Sequence, residues 1–455
     1  MAPKNRIIID TDPGVDDVLA LLLALSADPE VLEVALLSVT FGNVPRVSTA
    51  KNALSMFHVL YHEMKWREEN GKDNKNTFGA LRTYKPLIAL GAQHALEEKL
   101  HAKDGFHGED GLHGVHAEYP DLTIKDTWEE AFKNATLGEK QTEVEPYTEF
   151  FKTTAEPSHK EILRLLRESP PDTISIVALG PLTTIAMAAA EDPEAFLRVK
   201  ELVVMGGAVN VPGNITPLGE FNVYADPVAA ARVFALTSKE PNSTLPHKNK
   251  DLPLQPDYED YPKLLDYPSK LSRQLKLTLF PLDITTPHEL EKDFFNARVS
   301  KHKEEGSHLA RWVHWFMNGV YKKIAQIEGV AEGKPMALGL HDPTPIWYML
   351  TRDDPRWVAV PEPEDIRIET GGQWSRGANI VDRRQLNKPT ETTEPRHARA
   401  LSPDGPEASD MTTAEVPDDQ HDSWINPRKG NRINRMRASP GFKDFQAYLL
   451  DQLFY

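Results

Sequence analysis

The chain predicts an α/β fold: a mostly parallel central sheet with helices on both faces, a Rossmann-like open sheet. Its functional site is expected at the carboxyl edge of the strands. Three observations carry that expectation. Short apolar runs alternate with helical stretches, the runs end in turns rich in Gly, Asp and Asn, and β-branched residues concentrate in the runs rather than between them.

The first run, Ile7-Ile8-Ile9, opens into Asp10-Thr11-Asp12-Pro13-Gly14-Val15-Asp16-Asp17, and Val18, Leu19, Leu21, Leu22 and Leu25 continue as an apolar helix. Val34 to Thr40 reads as the second strand and ends in Phe41-Gly42-Asn43. Ser48 to Tyr61 has helical spacing through Ala50, Ala53, Leu54, Phe57 and Leu60, and Pro86 to Gly91 reads as a further strand. Thr173 to Leu179 is β-branched and is followed by Gly180-Pro181 and a helix from Leu182 to Ala190. Glu201 to Met205 is the next strand, closed by Gly206-Gly207.

Polar segments interrupt this rhythm and read as insertions at about 62–85, 133–160 and 238–275. A longer one, about 384–424, has few large apolar residues and reads as disordered, because it cannot bury enough surface to offset ordering entropy. The chain then resumes over 425–455 as an edge strand and an amphipathic helix through Phe442, Phe445, Tyr448, Leu449 and Leu453. All of this is compatible with one domain over 1–455. The basic cluster Arg428, Lys429, Arg432, Arg435 and Arg437 reads as a solvated strand face, with a nuclear address as the alternative.

The 455 residues carry a net charge of −16, from Asp+Glu 68 against Lys+Arg 52, which argues against nucleic-acid or anionic-membrane partners. Hydrophobic residues make up 40% of the chain and mean hydropathy is −0.47, so a large core can coexist with many solvated loops. With Cys 0, disulfides, thiolate catalysis and zinc–thiolate sites are excluded. Met1 to Arg6 contains no apolar leader and no apolar stretch is long enough to span a bilayer, so a cytoplasmic protein is expected.

Asp10, Asp12, Asp16 and Asp17 place four carboxylates between a strand end and a helix start. Such charges repel unless a cation or polar ligand sits among them, and a hard ion such as Ca²⁺ takes six to eight oxygens. One Asp there would be an N-cap; four suggest a metal-and-polyol site. An Asp-x-Asp after a first strand also fits a haloacid-dehalogenase-like phosphohydrolase with Asp10 as nucleophile. A second constellation follows Met205-Gly206-Gly207: Asn214, Glu220, Phe221 and Asn222 bring amides and a carboxylate suited to sugar hydroxyls. A third is His341-Asp342-Pro343, which offers one more carboxylate and an adjacent imidazole.

Taken in order, these motifs resemble the inosine-uridine-preferring nucleoside hydrolase family. The resemblance rests on Asp10 to Asp17, Gly42-Asn43, Val177 to Thr183, Met205-Gly206-Gly207, Asn214 with Glu220-Phe221-Asn222, and His341-Asp342, with Ser375-Arg376-Gly377 and Val381-Asp382 late in the chain. It implies one Ca²⁺ held by the carboxylates of Asp12, Asp17 and Asp342 and by the Leu179 carbonyl, with Asp12 also acting as base toward water. It further implies ribose contacts from Asp16, Asn43, Asn214, Glu220 and Asn222, with Met205 and Phe221 at the substrate. His341 would protonate or orient the leaving base, and His107, in His107-Gly108-Glu109-Asp110-Gly111, would lie near it. His113 and His116 follow without carboxylates in metal-ligand spacing. Thr184 stands where many relatives have Asn.

The expected activity is hydrolysis of the N-glycosidic bond of ribonucleosides to free base and ribose in salvage. The alternatives are a non-catalytic nucleoside or ribose binder, which needs no base beside the water, and the phosphohydrolase above. The resemblance also implies a homo-oligomer, dimer or tetramer. The expected partner is a small-molecule ribonucleoside, with no nucleic acid or membrane.

Overall fold

Ile7 and Ile9 enter one hydrophobic layer and Ile8 the other, all three wholly inaccessible. Leu36 against Leu37, Ile176 against Val177 and Leu202 against Val203 alternate in the same way. Successive strand side chains point to opposite faces, so a sheet covered on both sides selects continuous apolar runs rather than polar alternation. The computed structural model describes residues 3–72, 77–97, 105–125, 128–134, 146–245, 264–329, 335–384, 424–426 and 429–455.

The strands in chain order are β1 (Asn5–Thr11), β2 (Leu32–Val39), β3 (Leu87–Leu90), β4 (Lys152–Thr153), β5 (Ile174–Ala178), β6 (Glu201–Met205) and β7 (Leu277–Phe280). They continue with β8 (Glu289–Glu291), β9 (Ala337–Gly339), β10 (Val358–Ala359), β11 (Ile366–Ile368), β12 (Asn379–Val381) and β13 (Ile433–Ala438). Nine form one sheet in the order β10-β13-β7-β6-β5-β1-β2-β3-β4. Neighbours run parallel except β10 on β13, while β8–β9 and β11–β12 are separate antiparallel ribbons.

Strand order reverses between β1 and β5, which pair with Asp10 opposite Ala178. At such a switch point the connections leave in opposite directions and open a crevice at the carboxyl ends. The helix Val15–Ser26, buried along its whole length, follows β1 directly, and the helix Thr183–Glu191 follows β5. Thr184, the departure from the usual Asn, is fully buried and its Oγ1 accepts the Ala92 N–H at 3.0 Å, tying that helix to the loop after β3.

Several boundaries differ from the sequence expectation. The helix expected over 48–61 runs Arg46–Glu69, into the segment read as an insertion, because Glu63 and Arg67 one turn apart pair inside the protein at 2.7 Å. Within the same segment Phe78 and Leu81 are core residues and Gly79–Tyr84 is helical. The strand expected at the edge, β13, has a neighbour on each side, since the two-residue β10 closes that end. Arg435 on it pairs with Glu364 at 2.6 Å rather than standing free. The last helix is Phe442–Phe454. Most of the segment expected to be disordered, 385–423, lies outside the described residues, as do 135–145 and 246–263. Among the described residues no helix is long and apolar enough to cross a membrane.

Candidate active site

Asp12 leaves the end of β1, and Pro13-Gly14 turns the chain so that Asp16 and Asp17 fall in the first helical turn. Asp17 folds back over that turn. Its Oδ1 accepts the Thr11 hydroxyl at 2.6 Å and the Asp12 N–H at 3.2 Å; its Oδ2 accepts the Gly14 N–H at 3.1 Å and the Asn43 side-chain amide at 2.8 Å. Asn43, just after β2, also donates its backbone N–H to Asp12 Oδ2 at 2.7 Å. Asp12 fits between two glycines. A Cβ on Gly42 would stand 2.0 Å from its Oδ2, and one on Gly180 2.3 Å from its Oδ1, so any side chain at either position would have to displace the carboxylate.

Asp342 arrives from the turn between β9 and the helix Pro343–Thr351. Oxygens of Asp16, Asp17 and Asp342 lie within 4.8 Å of one another, all buried. Asp12 stands beside this triad rather than in it. Burial raises its pKa well above the usual carboxylate range, with Asp17, Asp16 and Asp10 adding to the effect. Burial and then Asp17 push Asp16 to about 7, and burial followed by repulsion from Asp16 and Asp17 raises Asp342 far as well. Buried like charges this close favour protons or a cation among them.

These residues floor a cleft of about 320 Å³. Its polar lining includes Asp16, Asn43, Asn214, Glu220 and Asn222, and Phe106, His107, Met205, Phe221, Ile327, Leu338 and His341 also line it. Glu220 caps the helix Phe221–Ala225, accepting N–H groups of Gly207 at 2.7 Å, Asn222 at 2.9 Å and Val223 at 3.1 Å. Asn214 Oδ1 accepts the Phe221 N–H at 2.9 Å. Asn222 Nδ2 donates to the Leu179 carbonyl at 2.6 Å and lies 3.3 Å from the Met205 sulfur.

His107 is held by a donor from the acidic turn itself: the Val15 N–H points at its Nδ1 at 3.0 Å. Nδ1 is therefore the acceptor and Nε2 carries the proton. Burial lowers the pKa of both His107 and His341 to about 4, so each meets a ligand as a neutral imidazole at pH 7. His341 is thus suited to donate a hydrogen bond rather than to act as a strong acid. Of the neighbouring histidines, His116 bonds Asn52 at 2.7 Å and the His113 ring packs on Gly319.

The sequence expectation therefore has all its site residues at one crevice, with Asp12 and Asp17 beneath the cleft lining. It missed Phe106, Ile327, Leu338 and Gly339. Phe106 borders a residue already singled out. Ile327 is one position on the amphipathic helix His308–Glu328, 62% exposed, and carries no sequence signal of its own.

Residues 7–405 match the inosine-uridine preferring nucleoside hydrolase family. The chain belongs to that family. The pyrimidine-specific ribonucleoside hydrolase RihA of Klebsiella pneumoniae is 30% identical over 396 residues, 85% of this chain and 92% of its own length. An uncharacterized protein of Schizosaccharomyces pombe is 28% identical over 383 residues, 83% of this chain and 89% of its own. A probable uridine nucleosidase of Arabidopsis thaliana is 33% identical over 231 residues, but these span only 51% of this chain and 56% of that protein. Among solved structures, the plant nucleoside hydrolase PpNRh1 superposes with a TM-score of 0.60 at 19% identity, covering 99% of both chains, and so shares the fold.

In this nucleoside hydrolase Asp10 does not face the cleft. It is fully buried, hydrogen bonded to the Ser38 hydroxyl, with its pKa pushed to about 7 by burial. Asp10 is absent from the residues that line the cleft, and the family match is to nucleoside hydrolases rather than to a phosphohydrolase. The site suits a hard cation: its donors are carboxylates only, and the buried Asp12 Oδ1 has no hydrogen-bond partner.

Proposed function

We propose that this single-domain protein is a cytoplasmic, homo-oligomeric hydrolase that cleaves ribonucleosides to base and ribose, using Asp12 as base and one Ca²⁺. The observation that carries the reading is the buried triad Asp16, Asp17 and Asp342 at the switch point, beside Asp12 and a cleft lined by the amides of Asn43, Asn214 and Asn222. Asp12, Asp17, Asp342 and the Leu179 carbonyl would hold the ion, with Asp16 close enough to share in it. A bound calcium ion supplies charge neutralisation and Lewis acidity there.

The chain's own groups do the rest. Asp16, Asn43, Asn214, Glu220 and Asn222 hold the ribose hydroxyls and fix C1′ over Asp12. Asp12, whose raised basicity follows from its burial, takes a proton from the attacking water. As the C1′–N bond breaks, positive charge grows on the ribose ring, and the surrounding carboxylates stabilise it. The imidazoles of His107 and His341 meet the base, and Phe106, Phe221, Ile327 and Leu338 give it apolar surroundings.

The test is release of reducing sugar from inosine, uridine, adenosine, cytidine and nicotinamide riboside, with and without EGTA. Release that EGTA abolishes and Ca²⁺ restores is expected. Binding of intact nucleoside with no release would favour the binder instead.

A further inference from the structure

Asn52, in the helix Arg46–Glu69, has no accessible surface, and both its amide nitrogen and its amide oxygen are engaged. Nδ2 donates to the Pro13 carbonyl at 2.8 Å and to the Asp110 carbonyl at 2.9 Å. Carbonyl oxygens only accept, so the nitrogen must face both of them, which turns Oδ1 toward Nε2 of His116 at 2.7 Å. Two groups that can act in one way only therefore fix the orientation of the amide.

The two carbonyls belong to different parts of the site. Pro13 is in the acidic turn, next to Asp12, and Asp110 is in the glycine-rich segment that brings Phe106 and His107 to the cleft. A second tie joins the same two segments, since the Val15 N–H donates to His107 Nδ1 at 3.0 Å. The approach to Asn52 is close. Gly111 has φ +87°, and a Cβ there would stand 2.6 Å from Asn52 Nδ2 and 3.0 Å from Val44 Cγ2, so a side chain would push the segment off the amide. Asp110 Oδ1 accepts the N–H groups of Leu112 at 3.0 Å and Gly114 at 2.9 Å, which closes the turn that presents the Asp110 carbonyl. Leu112 and Val115 sink the far end of the segment into the core, while these polar ties hold its cleft end to the acidic turn.

We propose that Asn52 is a positioning residue: it clamps the segment bearing His107 to the acidic turn, and so sets the spacing between the imidazole that meets the base and the carboxylates of the site. The proposal rests on the hydrolase reading above. Asn52 is not among the cleft-lining residues, so its effect passes through the groups it holds. Without its amide two carbonyls lose their donor and the cleft end of the segment is free to shift. A misplacement of about 1 Å at a reacting group costs up to about a hundredfold in rate.

The test is a double-mutant cycle on whichever of uridine or inosine the wild type cleaves faster, with Ca²⁺ in excess. Asn52→Ala should lower kcat/KM by about tenfold to hundredfold. Introduced into His107→Ala, the same change should cost less than about threefold, because the group it positions is already gone. Asn52→Asp, which keeps the shape but offers oxygens to both carbonyls, should repeat this pattern and serves if the alanine variant fails to fold. Hydrogen exchange supplies a readout independent of turnover: the amides of 107–114 should exchange faster in the variant while those of the central sheet do not. An equal loss in both backgrounds, no loss in either, or faster exchange throughout the sheet overturns the proposal while the hydrolase reading stands. A wild type that releases no sugar overturns the hydrolase reading and the proposal with it.

Discussion

Removing the cation should expose a measurable proton linkage at Asp16 and Asp342, which share a buried triad with Asp17. Their oxygens lie within 4.8 Å of one another and all three are buried. With an effective dielectric of about 20, each like-charged pair at that spacing costs about 3.5 kcal/mol, and three pairs about 10 kcal/mol. That rivals the whole stability of a typical domain, about 5–15 kcal/mol, so the ion-free site holds protons. Burial and neighbouring charge accordingly raise Asp16 to about 7 and Asp342 further.

A divalent ion must displace those protons. Calorimetric titration of Ca²⁺ into EGTA-stripped protein, in two buffers of different ionisation enthalpy, should report roughly one to two protons released per ion at pH 7. Apparent affinity should then rise about tenfold per pH unit for each linked proton between pH 6 and 7.5. The sign for stability is opposite in the two forms. Carboxylates whose folded pKa is raised stabilise the stripped protein in acid, and that contribution is lost as pH rises through about 7. The loaded protein lacks this loss, so the gap in melting temperature should widen from pH 5 to pH 8. Zero proton release with pH-independent affinity would refute the argument, since it would mean the carboxylates are already ionised when the site is stripped.

Three further outcomes follow from the same structure. Asp12→Asn should lower turnover by at least about a hundredfold, as for loss of a general base, without lowering the melting temperature of the EGTA-stripped protein, because burial already disfavours the Asp12 charge; sugar release and calorimetry measure the two together. Gly180→Ala should also inactivate, since its methyl group would meet Asp12 Oδ1 at 2.3 Å, and wild-type kcat in that variant would show that Asp12 can move freely. Glu63→Ala strands the buried Arg67 and removes an acceptor for Ser307 Oγ at 2.8 Å and Leu309 N–H at 3.0 Å. The expected loss is about 3–5 kcal/mol in denaturant unfolding, and a loss below about 1 kcal/mol, the scale of an exposed pair, would contradict the burial.

The legible features were those written in local pattern. Ile7-Ile8-Ile9 and Glu201 to Met205 announced strands buried on both faces, and Asp10 to Asp17 announced a charged turn between strand and helix, because period and turn chemistry act over a few residues. Glu63 and Arg67 fall in the stretch read as a polar insertion at about 62–85, and only the packing of the helix His308–Glu328, whose N-terminus Glu63 caps, turns them inward.

By itself the sequence determined the α/β class, the carboxyl-edge location and the residue types of the site, all of which follow from local pattern and from motifs in order. Only the tertiary structure decided that Asp16, rather than Asp12, joins Asp17 and Asp342 in the close triad. It alone brought Ile327 and Leu338 to the cleft and set Asn52 between Pro13 and Asp110. Those outcomes depend on which side chains meet across tens or hundreds of residues of chain, and contacts between distant segments are fixed by packing, not by spacing along the sequence.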